Sequence, residues 1–99
     1  MRRVVLLCAA GMSTSLLVTK IQAEAQRQNY ELSIEAFPVA KYAEATQDAD
    51  VVLLGPQIRY ELNRIKAAVS VPVEAIDMTA YGMMDGPKVI AQIKALLHD

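Results

Sequence analysis

Short apolar runs alternate along the chain with stretches in which apolar residues recur every three or four positions. Residues 4–7 and 51–54 are entirely large and apolar, which indicates strands buried on both faces of a parallel sheet. Residues 32–37 alternate in polarity and stop at Pro38, which predicts a strand at or near a sheet edge. Residues 71–76 predict a fourth strand.

The first predicted helix begins near residues 13–15, where any of three hydroxyl side chains can cap it. Its spacing divides the side chains into an apolar face and a polar face. The apolar face comprises Leu16, Leu17, Ile21 and Ala25, and the polar face comprises Lys20, Glu24 and Arg27.

Three further helices are predicted, over residues 41–47, 58–69 and 87–97, with a Gly/Met/Asp loop before the last. Strands and helices therefore alternate throughout. This order predicts an α/β fold, in which a four-stranded parallel open sheet carries helices on both faces.

Size and charge narrow the classes of function. A chain of 99 residues, of which 54% are hydrophobic, is expected to form a single domain over residues 1–99. A net charge of −1 without a basic cluster argues against nucleic-acid binding. No apolar stretch approaches the roughly 20 residues of a membrane span. Cys8 and His98 alone do not supply a metal-ligand set, so no metal site is expected.

The amino-terminal sequence imitates a secretory signal, but the pattern is incomplete. The apolar stretch before Cys8 is shorter than a signal core of roughly 7–15 residues, and Leu7 is not the small residue that a cleavage site requires. We therefore expect a cytoplasmic protein, in which a single cysteine stays a free thiol.

Cys8 is the principal candidate for chemistry. It ends the first strand and leads into the loop Ala9, Ala10, Gly11, Met12, Ser13, Thr14 and Ser15. Ligands of open α/β sheets bind at this edge, where the amides and the dipole of the next helix favour a thiolate or a phosphate. The alternative is that Cys8 is a small buried residue continuing the strand.

Three blocks of the sequence resemble one family. The segment from Cys8 to Ser15, residues 49–58 (ADVVLLGPQI) and residues 76–86 (IDMTAYGMMDG) are similar to the IIB components of the bacterial sugar phosphotransferase system, in the lactose/cellobiose/chitobiose class. The resemblance implies a strand order of 2-1-3-4, which places Cys8 beside residues 55–57. It also implies that the cysteine accepts a phosphoryl group from phosphohistidine on enzyme IIA. The acceptor is then a sugar held by membrane enzyme IIC, a β-disaccharide such as cellobiose, chitobiose or lactose.

This hypothesis assigns a role to the whole loop. Backbone amides from Ala9 to Ser15 would surround the phosphoryl oxygens, and the hydroxyls of Ser13, Thr14 and Ser15 would add donors. The step would need no metal and no cofactor. It does require that a phosphohistidine can reach the sulfur.

Residues at the rim of this edge are weaker candidates. Gln57, Arg59, Tyr81 and Asp85 could contact the phosphoryl group or a partner, although Gln57 could instead cap the third helix. An adaptable apolar docking surface is also predicted, although a position in the core is the favoured alternative for Met78. Its candidate members are Met12, Met78, Met83 and Met84. Serving two partners in turn implies small, transient interfaces and a monomer.

Two other functions remain open. The predicted fold is similar to that of low-molecular-weight tyrosine phosphatases, but their C-x5-R-S/T motif would place arginine where this chain has Thr14, and no Asp-Pro pair supplies a general acid. A site lacking both suits a relay better than a hydrolase. The other alternative is a non-catalytic binding module that kept the fold.

Overall fold

Four parallel strands and five helices alternate in the computed structural model, which describes residues 1–9 and 14–99. The strands are β1 (Arg2–Cys8), β2 (Leu32–Pro38), β3 (Val51–Leu54) and β4 (Val73–Ala75). The helices are α1 (Thr14–Arg27), α2 (Tyr42–Ala45), α3 (Leu62–Ala68), α4 (Met78–Gly82) and α5 (Gly86–Leu97). The strand order is β2-β1-β3-β4, so the predicted α/β fold and the implied order are both confirmed.

The central strand β1 separates two apolar cores because its side chains alternate between the faces of the sheet. Val4 and Leu6 belong to the first core, under α1 and α5, and Val5 and Leu7 belong to the second, under α2 and α3. All four side chains are fully buried, as the all-apolar run predicts. Helices therefore cover both faces, and β1 is fixed from either side.

Several element bounds differ from the predictions. The fourth strand spans Val73–Ala75 rather than residues 71–76, and the third helix starts with 3₁₀ turns over Pro56–Glu61. β2 includes Pro38, which an edge strand tolerates. The short helix α4 replaces part of the predicted loop, because the Asp77 carboxylate accepts a hydrogen bond from the Ala80 amide (3.1 Å) and caps it.

The two faces of α1 were partly misassigned. Leu16 is 49% exposed rather than buried, whereas Glu24 is only 8% exposed. The buried face of the helix leaves out Leu16 and consists of Thr14, Leu17, Ile21, Glu24 and Ala25. Glu24 tolerates burial because its carboxylate accepts hydrogen bonds from Arg27 and Gln28. Among residues 1–9 and 14–99, no helix is long and apolar enough to cross a membrane.

Candidate active site

Cys8 is the last residue of the central strand, at the carboxyl edge of the sheet. It pairs with Pro38 of β2, and the preceding Leu7 pairs with Leu54 of β3. Because side chains alternate along a strand, Cys8 lies on the face of Val4 and Leu6, the face that α1 covers. The only cysteine in the sequence is thus placed at the switch point, where the neighbouring strands on either side lead into separate loops.

The Cys8 sulfur has two polar neighbours. It lies 3.7 Å from the hydroxyl oxygen of Thr14, the first residue of α1, and its thiol donates to the Phe37 carbonyl oxygen at 3.5 Å. The residue is 6% exposed, so the thiol lies deeper than an open nucleophile would. The edge strand β2 contributes to this burial, since the Phe37 carbonyl near its end lies against the sulfur.

The first residue after β3 lies beside the end of β1. The Gly55 amide donates to the Leu7 carbonyl oxygen at 2.9 Å, which confirms that this segment is adjacent to Cys8. A Cβ at Gly55 would meet the Gln57 Oε1 at 3.2 Å and the Tyr81 ring at 3.7 Å. Gln57 is exposed and makes no helix-capping hydrogen bond, so the capping alternative is wrong.

Tyr81 also lies near the site, with its ring beside Gly55. It is half-buried in α4 and packs against the first core, on the face of the sheet that Cys8 occupies. Burial raises the pKa of Tyr81, and the negative charge of an ionised Cys8 raises it further. The Tyr81 hydroxyl is therefore held in its protonated form, in which it can donate a hydrogen bond.

Asp85 caps a helix, whereas Arg59 is exposed to solvent. The Asp85 carboxylate accepts from the Lys88 amide at 3.1 Å and caps α5, so the carboxylate acts in helix termination. Arg59 is exposed and forms no ion pair within the described part of the chain. No described contact joins either residue to Cys8.

The predicted phosphate loop is only partly described. Ala10, Gly11, Met12 and Ser13 lie outside the described residues, so the predicted amide ring is not tested. Ala9 is half-buried against the second core. Thr14 is 4% exposed and faces the sulfur, whereas Ser15 is exposed and its carbonyl accepts from the Thr19 hydroxyl at 3.0 Å.

Large apolar side chains are exposed on segments that follow the strand ends. Met78 is 65% exposed, so its assignment to the core is wrong, and Met83 is 74% exposed. Met84 instead packs against the first core. The sequence pattern did not single out Leu16 or Tyr60 as exposed, yet they are 49% and 77% exposed.

Sequence reasoning missed the Phe37 carbonyl as a neighbour of the sulfur. The signal was available, because the order 2-1-3-4 places the end of β2 beside the end of β1. In the described residues no group of three His, Cys, Asp or Glu side chains could hold a metal ion.

Comparisons with known proteins agree with this geometry. The family model "PTS system, Lactose/Cellobiose specific IIB subunit" matches residues 3–92. An oligo-beta-mannoside-specific EIIB component of Bacillus subtilis (strain 168) is 43% identical, over 98% of this chain and 97% of that protein. A galactose-specific EIIB component of Lactococcus lactis subsp. cremoris (strain MG1363) is 39% identical, over 96% and 95%.

A solved structure shares both the fold and the sequence. The solution structure of a cellobiose-specific phosphotransferase IIB component from Borrelia burgdorferi superimposes with a TM-score of 0.78 at 37% identity, covering 96% of this chain and 91% of that one. The chain therefore belongs to the lactose/cellobiose-specific IIB family and is a phosphotransferase of the sugar phosphotransferase system.

Proposed function

We propose that Cys8 carries the phosphoryl group, accepting it from phosphohistidine on enzyme IIA and passing it to a sugar bound by membrane enzyme IIC. One observation carries this proposal: the sulfur ends the central strand and lies 3.7 Å from the first side chain of α1. A helix amino terminus at that point supplies unpaired amides and a positive dipole end, which suit a phosphoryl group. The loop from Ala9 to Ser15 would surround its oxygens.

The first transfer balances without a metal or a cofactor. Cys8 loses its proton to solvent, and the thiolate attacks phosphorus as the P–N bond breaks. The electron pair of that bond returns to the imidazole, which leaves as neutral histidine with its proton on the other nitrogen. In the second transfer a sugar hydroxyl attacks phosphorus and releases its proton to solvent, the S–P bond breaks, and its electron pair stays on sulfur as the regenerated thiolate.

The resting contacts of Cys8 set a condition on this step. A thiolate cannot donate to the Phe37 carbonyl, so ionisation ends that hydrogen bond and leaves the sulfur facing the hydroxyl of Thr14. Because the residue is only 6% exposed, the docking of enzyme IIA must also uncover the sulfur. This condition keeps the sulfur shielded until a donor arrives.

The rim supports docking by two partners in turn. Leu16, Tyr60, Met78 and Met83 are exposed on segments that follow β1, β3 and β4, and they offer apolar area for a small interface. Gln57 and Arg59 are exposed in the same region and would contact a partner. Contacts of this size suit a single-domain monomer that binds and releases its partners in the cytoplasm.

The sugar is proposed as a β-linked disaccharide, such as cellobiose, chitobiose or lactose. The names of the related proteins specify an oligo-β-mannoside, galactose and cellobiose, so relatives of similar identity differ in sugar. This variety fits a relay in which enzyme IIC binds the sugar and this chain supplies only the phosphoryl group.

Transfer of radiolabel tests the proposal. A IIA protein of this class, labelled on its phosphohistidine, is mixed with the wild type, with Cys8→Ser and with Ser33→Ala as a matched control away from the carboxyl edge. We expect stable label on the wild type and the control, and none on Cys8→Ser. Release of free phosphate would indicate a phosphatase, and the absence of label on all three would indicate a binding module; both outcomes contradict the relay.

A further inference from the structure

Tyr81 and Cys8 share one face and one end of the sheet. Cys8 lies two residues beyond Leu6 on the face of the first core, and the Tyr81 side chain packs against that same core. α4 holds the tyrosine in place, because Asp77 caps the helix and Ala80 is buried beneath it. The tyrosine is therefore positioned by packed structure rather than by a long loop.

Gly55 brings Tyr81 close to the end of β1. The Gly55 amide is bonded to the Leu7 carbonyl, immediately before Cys8. The space that a Cβ at Gly55 would occupy is 3.7 Å from Cε2 of the Tyr81 ring and 3.7 Å from the Leu7 carbonyl oxygen. Only the space of one Cβ atom at Gly55 thus separates the edge of the Tyr81 ring from the end of β1.

The Tyr81 hydroxyl is an available donor. No hydrogen bond among residues 1–9 and 14–99 involves its oxygen, in contrast to Tyr30, whose hydroxyl donates to Asp99. Because no buried side-chain oxygen in these residues lacks a partner, the Tyr81 oxygen is open to solvent. Burial and the charge of ionised Cys8 both raise its pKa, so negative charge at the sulfur strengthens the protonated form. A dianionic phosphoryl group on the sulfur accepts several donors, and the Tyr81 hydroxyl would add one to the Thr14 hydroxyl of α1 and the proposed loop amides.

We propose that the Tyr81 hydroxyl donates a hydrogen bond to a phosphoryl oxygen on Cys8, and so forms the wall of the site opposite α1. This inference rests on the proposed function. The bond would orient the phosphoryl group for in-line attack and offset charge that builds up during each transfer. Tyr81 then acts on the reacting group itself, in addition to any contact with a partner.

The experiment compares Tyr81→Phe with Tyr30→Phe, which removes the hydroxyl that donates to Asp99 at the opposite end of the sheet. Both proteins and the wild type receive phosphoryl groups from a phosphorylated IIA protein in single-turnover reactions. We expect Tyr81→Phe to be slower by about 10-fold to 100-fold, the usual effect of losing one charge-assisted hydrogen bond. Its phosphocysteine ³¹P resonance should also shift, whereas Tyr30→Phe should match the wild type in rate and resonance at a temperature where it is folded.

A measurement on the wild type keeps the test independent of folding of the variants. With ¹³Cζ-labelled tyrosine, phosphorylation should move the Tyr81 resonance and leave that of Tyr30 unchanged. An unmoved Tyr81 resonance would overturn this inference while leaving the relay intact. If the wild type accepts no phosphoryl group at all, the proposed function fails, and this inference fails with it.

Discussion

Polar side chains are paired differently at the amino end of the sheet, where the parallel strands begin, and at the carboxyl end, where they finish. At the amino end, side chains of β1, α1 and α5 and of the residues that follow the two helices form a polar network of Arg2, Glu24, Arg27, Gln28, Tyr30, Lys94 and Asp99. Each member has at least one partner of suitable charge or hydrogen-bonding type. At the carboxyl end, the Tyr81 hydroxyl has no partner among the described residues, and the sulfur of Cys8 has only long contacts.

The contacts of Asp99 show how fully the polar groups at the amino end are hydrogen-bonded. Its carboxylate accepts from Arg2 at 2.9 and 2.7 Å and from the Tyr30 hydroxyl at 2.6 Å. These donors lower the pKa of Asp99 to about 2, the Arg2 hydrogen bond contributing most. The Lys94 ammonium lies 4.8 Å from the centre of the Tyr30 ring and donates to Gln28 at 2.8 Å.

The difference indicates that the amino end of the sheet contributes to stability and the carboxyl end to function. Satisfied polar groups at the amino end fasten the helices to the sheet and contribute to folding. The Tyr81 hydroxyl at the carboxyl end has no partner among the described residues and can bind an external group. Substitutions at the amino end should therefore change stability, and those at the carboxyl end should change phosphoryl transfer.

The largest expected effect on stability is at the contact between α1 and α5, which joins the two ends. A Cβ at Gly86 would lie 2.7 Å from the Lys20 carbonyl oxygen, so Gly86→Ala forces the helices apart. We expect a loss of about 1–3 kcal/mol in the free energy of unfolding, measured in urea.

Gly82→Ala is the matched control for that substitution, because nothing lies within 4 Å of its Cβ position. It should leave the unfolding midpoint unchanged or raise it slightly, since alanine favours a helix. Equal midpoints for the two variants would show that the close approach of α1 and α5 does not limit stability.

The next effect concerns pH. Hydrogen bonds from Arg27 and then Gln28 lower the pKa of Glu24 from 4.5 to about 2, against the opposing effect of burial. The ionised form is thus bound more favourably in the folded protein. Its contribution is present above about pH 4.5 and is lost as pH falls toward 2. Glu24→Gln should lower stability at pH 7 and flatten the profile of unfolding midpoint against pH.

Glu31→Gln provides the comparison, because Glu31 is exposed and its side chain lies outside the polar network. That variant should keep the wild-type profile between pH 2 and 5. A profile of Glu24→Gln that still followed the wild type would exclude Glu24 as a source of acid sensitivity.

The smallest effect is expected at Tyr30. Tyr30→Phe removes the hydrogen bond to Asp99 but keeps the ring beneath Lys94. The protein should lose about 1 kcal/mol of stability, the typical net value of one hydrogen bond. Single-turnover phosphoryl transfer should be unchanged at a temperature where the variant is folded. A clear drop in the transfer rate would break the division between the two ends.

Much of the fold could be predicted because it depends on local pattern. The apolar runs of β1 and β3 and the proline that ends β2 are signals that short windows contain, and the observed strands agree with them. The prediction for Leu16 is wrong because apolar character alone does not determine which face of a helix is buried. In α1 the buried face contains Thr14 and Leu17 and excludes Leu16. The helix α4 is five residues long, too short to show periodicity.

The site was predictable only in part. Cys8 stands out by its position at a strand end, and its contact with Thr14 follows from the short loop between β1 and α1. The nearness of Tyr81 depends on tertiary packing over Gly55, and no spacing in the sequence encodes it. The contact with the Phe37 carbonyl likewise requires the strand order, which came from resemblance rather than periodicity.

The most direct test of the relay is the ³¹P spectrum of the wild type after reaction with a phosphorylated IIA protein. The account predicts one protein-bound resonance in the range of an S-phosphorylated cysteine, which disappears when sugar and enzyme IIC are added. A resonance in the range of phosphoserine, phosphothreonine or phosphohistidine, or no protein-bound resonance, would contradict the assignment of Cys8 as the carrier.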